Sequence, residues 1–346
     1  MNPYIMSIFL LGLGLGTTIT FMSSHWLLAW MGLEINTLAI IPLMAQHHHP
    51  RSVEASTKYF LTQATAAAMI LFASSTNAWI TGQWGINELS HPVPLTIMML
   101  GLALKIGMAP LHTWLPEVLQ GLDLTTGLIM STWQKLAPLS LLMQMNLDNP
   151  VMITMAIMST MVGGWGGLNQ TQLRKILAYS SIAHIGWMIL VLQFSPSLTL
   201  LTLAIYIFMT LSIFSLFKVN KTTSINALAT SWSKSPTITA LAPLILLSLG
   251  GLPPLTGFGP KWMILSELTK QELNTIATIT ALSALLSLYF YLRLSYAMTL
   301  TLSPNTTPTT NQWRYNTKQP TFHLSISTIL SLMLLPLLPS MVAMIN

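Results

Sequence analysis

The sequence contains two copies of one proline-rich pattern, GMAPLHTWLP at residues 107–116 and GLPPLTGFGP at residues 251–260. Both fit G-x-[AP]-P-L-x-x-[WF]-x-P, and each lies inside a long apolar stretch. Because proline removes a backbone donor and disfavours the helical conformation of the residue before it, each copy predicts a broken helix. Within a bilayer such breaks are tolerated where protein or a hydrated cavity covers the freed backbone groups, and paired breaks are typical of transport sites.

The composition around these two stretches is that of a membrane protein. Of 346 residues, 52% are hydrophobic and only 6% are charged, whereas soluble domains carry about 25% charged residues. The absence of cysteine excludes disulfides, thiolate catalysis and cysteine-bound iron–sulfur clusters. A net charge of +6 in a soluble protein would suggest nucleic acid. Membrane proteins, however, collect Lys and Arg in the loops on one side, and no basic run interleaved with aromatics occurs, so we expect no nucleic-acid partner.

Hydrophobic windows of about 20 residues predict an all-α polytopic protein with about eleven transmembrane helices. The N-terminus lacks the basic region and cleavage site of a signal peptide, so we expect the first of these helices to be retained. The Thr-, Pro- and Asn-rich stretch near 299–321 is expected to form an exposed loop. The predicted segments lie near 3–22, 25–45, 59–80, 93–119, 124–146, 150–168, 173–193, 198–217, 237–268, 274–297 and 322–344.

The two breaks fall in the fourth and ninth predicted helices, five helices apart. Since five is odd, the two copies cross the membrane in opposite senses, which indicates an inverted-topology repeat. We therefore expect a first repeat over 1–148, a second over 149–297, and a polar loop with a C-terminal helix over 298–346.

Loop charges predict the orientation. The basic side comprises Arg51, Lys58, Arg174, Lys175, Lys218, Lys221, Lys234, Arg314 and Lys318, and the opposite side carries Glu88, Asp148, Glu267 and Glu272 against Lys270 alone. By the positive-inside rule the N-terminus and the basic loops face the cytoplasm or the mitochondrial matrix.

A few titratable residues are predicted at mid-bilayer depth. Glu34 lies nine residues into the second helix, about 13 Å deep at 1.5 Å per residue, in a hydrocarbon core about 30 Å thick. Each buried charge costs at least about 2.5–3.5 kcal/mol to insert, and such residues usually mark ion or proton paths. The predicted relay comprises Glu34, Lys105, Lys135, His184 and Lys261.

Static alternatives exist for each of these residues. The charged ones could form fixed ion pairs or extend to the interface as snorkelling lysines, His184 could be an ordinary hydrogen-bonded histidine, and Arg293 is expected to be a snorkelling anchor. A switching role is nevertheless energetically feasible for Glu34 and Lys105. A Glu–Lys pair gains about 4 kcal/mol at 4 Å and about 2 kcal/mol at 8 Å, so a displacement of a few ångströms is large enough to pass a proton from Lys105 to Lys135.

Two further motifs favour ordinary explanations. The tract His47-His48-His49 predicts at most a weak adventitious metal site. The glycine run at 163–167 lacks the strand, Lys and Ser/Thr of a phosphate loop and is better explained by close helix packing. No nucleophile–base set and no dinucleotide motif appears, so we expect no redox chemistry in this chain alone.

Four stretches resemble the antiporter-like proton-channel family of respiratory complex I: WMGLE at 30–34, LKIGMAPLHTWLPE at 104–117, QKLAP at 134–138 and LRKILAYSSIAHIG at 173–186. The resemblance covers essentially the whole chain. It implies a membrane-arm subunit of the proton-pumping NADH:ubiquinone oxidoreductase, multi-pass in the mitochondrial inner membrane with its N-terminus in the matrix. It also implies neighbouring antiporter-like subunits, accessory subunits and lipids as partners. FMN, iron–sulfur clusters and ubiquinone would belong to other subunits, with no cofactor in this chain.

The resemblance also implies residue roles. The positions matching Glu34 and Lys105 form a switching pair, the one matching Lys135 carries the proton along the central axis, and the one matching Lys261 stands at the exit side. The full-length family pattern has about three N-terminal helices before the first repeat, and this chain lacks them. Two other functions stay open from the residues: a free-standing cation/proton antiporter of the same fold, and a scaffold that has kept the repeat but lost transport.

Overall fold

A computed structural model describes residues 3–46, 49–89, 91–145, 150–233, 235–300 and 321–345. Within these ranges the regular elements are helices, joined by single β-bridges between His25 and Gly85 and between Gln172 and Ser224. This confirms the predicted all-helical class. The α-helices are α1 Pro3–Met22, α2 Trp26–Met44, α3 Pro50–Thr81, α4 Pro92–Ile106, α5 Trp114–Gly121, α6 Leu124–Ser131, α7 Trp133–Gln144, α8 Pro150–Gly167, α9 Leu173–Leu192, α10 Pro196–Asn220, α11 Ile225–Ala229, α12 Pro236–Gly250, α13 Phe258–Lys270, α14 Asn274–Thr299, α15 Phe322–Met333 and α16 Leu338–Ile345.

Helix α3 begins earlier than the hydropathy window at 59–80 predicted. It begins at Pro50, whose missing N–H suits the first helical position, and His49 accepts a hydrogen bond from the backbone N–H of Arg51 through Nδ1 at 3.3 Å. Arg51 and Lys58 therefore lie in a helix and not in a loop, because hydropathy reports the apolar part of a helix and not its polar first turns.

Several predicted features lie outside the described residues: His47, His48, Asp148, Lys234, Arg314, Lys318 and most of the loop near 299–321.

Five helices are individually long and apolar enough to span a membrane, namely α1, α2, α9, α10 and α14, and the α15–α16 pair, bent by 66°, makes a sixth. The predicted spans at 93–119 and 237–268 are divided by breaks, so that α4 and α12 have only 15 residues each. The structure thus supports a multi-pass membrane protein, and the count of eleven stays a prediction.

The helices form two compact units, Met1–Ala156 and Ile157–Asn346. In the first unit, α3 packs against α2, α4 and α5, and α7 packs against α1 and α4. In the second, α10 packs against α9, α12, α13 and α15. Helices α1 and α2 approach each other so closely that a Cβ on Gly16 would lie 2.9 Å from the carbonyl oxygen of Gly32, the close approach that small residues allow between membrane helices.

Many buried hydroxyl groups donate to a carbonyl of the preceding turn of their own helix. Ser180 donates to the carbonyl of Leu177 at 2.8 Å, and Ser181 donates to that of Ala178 at 2.7 Å. Because burying an unpaired hydroxyl is costly, this local pairing lowers the cost of placing Ser and Thr inside apolar helices.

The glycine run at 163–167 closes α8 against its neighbours, as predicted. A Cβ on Gly163 would lie 2.6 Å from the backbone nitrogen of Ala183, so only glycine fits without movement.

Arg293 donates from its guanidinium to the carbonyl of Leu168 at 2.5 Å. It thereby satisfies a backbone acceptor just past the end of α8, a role different from the snorkelling anchor expected from its place near a helix end.

Candidate functional site

The first proline-rich stretch breaks the helix where the sequence predicted. Helix α4 ends at Ile106, and Gly107 adopts the left-handed conformation at φ +83°, which glycine accepts without strain. The backbone N–H groups of Gly107 and Met108 both donate to the carbonyl of Ala103. The indole of Trp114 donates to the carbonyl of Leu104 at 3.1 Å, so the aromatic residue of the motif satisfies a backbone acceptor that the break frees.

The second stretch also ends a helix at a left-handed glycine, but here a different side chain donates to a different carbonyl. Helix α12 ends at Gly250, and Gly251 has φ +81°. Phe258 stands at the motif position of Trp114 and has no donor, and here Lys261 donates from Nζ to the carbonyl of Gly250 at 2.7 Å. Corresponding landmarks of the two breaks are separated by one constant offset of 144 residues: 92 and 236, 107 and 251, 114 and 258.

Glu34 and Lys105 are brought together in the first unit. The Nζ of Lys105 lies 4.0 Å from Oε1 of Glu34, and the exposed fractions of the two side chains are 2% and 24%. The hydroxyl of Thr37 donates to the other carboxylate oxygen at 3.1 Å. The carboxylate is therefore held on one side while the ammonium is within ion-pair distance and makes no hydrogen bond to the rest of the described chain.

Lys105 and Lys135 line one cavity. Lys135 is 2% exposed and is the third residue of α7, directly after a short break at Thr132 that separates α6 from α7. Sequence reasoning placed Lys135 at the centre of an unbroken helix and missed this break. The polar residues lining the cavity are Asn36, Thr37, Tyr59, Gln63, Lys105, Gln134 and Lys135.

His184 and Lys261 line a second cavity, within the second unit. Lys261 enters it from the first turn of α13, and His184 from the middle of α9, where its ring lies 5.3 Å from that of Tyr206. Thr202 and Met209 of α10 complete part of the wall. The structure therefore assembles the five predicted relay residues as two groups, one in each unit.

A surface ion cluster joins α3 to α5. The Nζ of Lys58 lies 2.8 Å from Oε2 of Glu117 and 2.9 Å from Oε1 of Glu54. Hydrogen bonds to these carboxylates raise the pKa of Lys58 above its ordinary value, and the same contact lowers the pKa of Glu54. The i,i+4 spacing of Glu54 and Lys58 could have indicated half of this cluster, but the partner on α5 could not be predicted from spacing.

Metal-binding groups do not converge in the part of the chain that the structure describes. No three His, Cys, Asp or Glu side chains there come together. His49, the described member of the histidine tract, accepts the hydrogen bond at the start of α3 instead.

Comparison with known families gives two adjoining matches. The family model described as NADH:quinone oxidoreductase/Mrp antiporter matches residues 23–287. The model described as NADH dehydrogenase subunit 2 C-terminus matches residues 288–342.

Individual relatives agree with these matches over the full length. NADH-ubiquinone oxidoreductase chain 2 of Tetraodon nigroviridis is 68% identical, and its counterpart from Salmo salar is 67% identical, each alignment covering 100% of both chains. Among solved structures, a chain of respiratory complex I from Thermus thermophilus with bound aureothin has a TM-score of 0.86 at 26% identity, over 98% of this chain and 80% of that one. A chain of the Mrp complex from Dietzia sp. has a TM-score of 0.77 at 17% identity, over 85% and 60%, and this second likeness shows the fold alone.

Proposed function

The chain belongs to the NADH:quinone oxidoreductase/Mrp antiporter family, and on that premise we propose that it translocates protons across the mitochondrial inner membrane through its buried lysines. The observation that carries the proposal is the shared cavity of Lys105 and Lys135, with Glu34 at 4.0 Å from Lys105. Residues of this kind inside membrane helices usually serve ion or proton paths.

Glu34 and Lys105 act as the switch. At their present separation of 4.0 Å the attraction is about 4 kcal/mol at an effective dielectric near 20, and at 8 Å it falls to about 2 kcal/mol. The difference of about 2 kcal/mol is comparable to the cost of moving one charge against 100 mV. Moving Glu34 away therefore favours release of the proton from Lys105 towards Lys135.

Lys261 and His184 carry the proton onward in the second unit. Lys261 donates to the carbonyl of Gly250 at the C-terminal end of α12, where the helix dipole favours a cation. His184 can accept an arriving proton, and its side chain lines the same cavity as Lys261. The pair can therefore serve as the exit side.

The architecture proposed is eleven transmembrane helices in two inverted repeats, 1–148 and 149–297, followed by a loop and a C-terminal helix over 298–346. The constant offset between the landmarks of the two breaks supports the repeat. The basic residues at and near alternate helix ends support an N-terminus in the matrix.

Electron transfer from NADH to ubiquinone would drive this translocation from other subunits. Relatives at 64–68% identity are named NADH-ubiquinone oxidoreductase chain 2, and we propose that this chain is likewise a membrane-arm subunit beside other antiporter-like and accessory subunits and lipids. As a translocase subunit it would hold no cofactor, with FMN, iron–sulfur clusters and ubiquinone bound elsewhere in the complex.

The test is proton pumping by the assembled complex in sealed vesicles, measured per NADH oxidised. Lys135→Met should lower the pumped protons, whereas Lys218→Met, which removes the same charge at an exposed position near the end of α10, should not. Undiminished pumping by Lys135→Met would refute the function.

The same material separates the other two functions. A free-standing antiporter would purify from native membranes without an NADH-oxidising arm. A passive scaffold would show altered assembly in Lys135→Met, and the complexes that did assemble would pump normally.

A further inference from the structure

Three amide side chains line the cavity that Lys105 and Lys135 share. Asn36, Gln63 and Gln134 come from three different helices, α2, α3 and α7. Asn36 and Gln63 are only 2% and 3% exposed. None of the three titrates, so the relay of charged groups does not account for them.

These amides contain buried atoms that make no hydrogen bond to the described chain. They are Nδ2 and Oδ1 of Asn36, Nε2 of Gln63 and Nε2 of Gln134. Leaving a buried polar atom unpaired is costly, and native proteins almost always pair such atoms with protein or water. Four unpaired atoms around one cavity therefore point to a polar ligand.

The size of the cavity fits water. Its volume is about 10 Å³, which is close to the space that one water molecule needs when the volume is traced by the centre of a water-sized sphere. An apolar cavity of this size would stay empty, but one with several unpaired donors and acceptors supplies the two to four partners that an ordered water requires.

We propose that Asn36, Gln63 and Gln134 are positioning residues that hold a water molecule between Lys105 and Lys135. This inference rests on the proposed function. In the transfer step an N–H bond of the Lys105 ammonium breaks as an O–H bond forms on the water. The opposite O–H bond of the water breaks as an N–H bond forms on the neutral Lys135. The water is regenerated, and the positive charge has moved from Lys105 to Lys135.

Amides suit this task better than charged or hydroxyl groups. Each amide offers both a carbonyl acceptor and an N–H₂ donor, and a half-turn of the group exchanges the two. The same side chain can thus accept from an ammonium before transfer and donate to a neutral amine afterwards. Tyr59, 2% exposed, donates from its hydroxyl to Oε1 of Gln134 at 3.5 Å, while Nε2 of this amide has no partner in the described chain.

The test compares Gln63→Met and Asn36→Leu with Gln144→Leu in the assembled complex. Gln144 is a matched control because its amide lies at the end of α7 and donates to the backbone of Phe21 at 3.4 Å, outside the cavity. We expect each cavity variant to lower the rate of pumping-coupled NADH oxidation about tenfold. We also expect a larger solvent isotope effect, that is, a larger ratio of the rate in H₂O to the rate in D₂O. The control should change neither, and Gln63→Asn, which keeps an amide, should restore part of the rate.

Three results are decisive. If Gln63→Met and Asn36→Leu turn over and respond to D₂O normally while Lys135→Met loses pumping, the water-holding role is wrong and the proposed function stands. If Lys135→Met pumps normally, the proposed function itself fails. If the cavity variants lower only the yield of complex, and the assembled fraction has an unaltered isotope effect, the amides are merely structural and the proposal is overturned.

Discussion

Replacing Glu34 by Gln removes the charge of the switch while keeping its shape. At the observed 4.0 Å between Oε1 of Glu34 and Nζ of Lys105, the lost attraction is about 4 kcal/mol at an effective dielectric near 20. Because 1.36 kcal/mol corresponds to a factor of ten, this amounts to almost three decades in the equilibrium between the charged and neutral states of the pair. Glu34→Asp retains the charge but withdraws it by about one bond length, to about 5.5 Å, where about 3 kcal/mol remains.

The two substitutions therefore predict graded effects. In sealed vesicles, with the pH gradient followed by a dye and NADH oxidation by absorbance, Glu34→Gln should pump few protons through this subunit. Glu34→Asp should keep most of the protons pumped per NADH oxidised, while the rate of turnover falls about fivefold. Equal pumping by Glu34→Gln and the unmodified complex, or equal impairment by both variants, would show that the charge of Glu34 does not control Lys105.

Other predictions concern stability and are measured by thermal unfolding of the detergent-solubilised complex. Gly163→Ala, whose Cβ would meet backbone at 2.6 Å, should destabilise the second unit by about 1–3 kcal/mol, whereas Gly14→Ala, with nothing within 4 Å, should be neutral; equal midpoints would contradict the packing argument. Arg293→Met leaves a carbonyl at the end of α8 unpaired and should cost about 1.5–3 kcal/mol, partly recovered in Arg293→Lys; an unchanged midpoint would mean that this bond contributes nothing. Lys58→Met should change the midpoint little at neutral pH, because its ion pairs are exposed. Since Lys58 lowers the pKa of Glu54, the small stabilisation is present above the ordinary carboxyl pKa and is lost as the pH falls through the lowered value. The unfolding midpoints of Lys58→Met and the unmodified protein should therefore converge in acid. A difference in midpoint that grows in acid would contradict the assignment.

The helical breaks could be predicted from sequence because proline and glycine act locally. The G-x-[AP]-P-L-x-x-[WF]-x-P pattern contains its own helix terminator, and Gly107 and Gly251 both adopt the left-handed conformation that this requires. The break at Thr132 was missed because no proline or glycine lies at that position.

Site geometry was predictable only in part. Depth in a hydrophobic segment indicated Glu34 and Lys105, since charge in such a segment is costly. Partners set by tertiary packing could not be derived in this way. The bond from Trp114 to Leu104 depends on how the chain returns after the break, and Gln63 and Asn36 line one cavity because α2 and α3 pack together.

The most direct test of the account is a density map of the assembled complex in lipid, at a resolution that shows ordered water. The account predicts Lys105 and Lys135 near the middle of the hydrocarbon layer, facing one cavity, with water density within hydrogen-bond distance of the Nζ atoms of both side chains. Lysines reaching the headgroups, or dry side-chain packing between Lys105 and Lys135, would contradict it.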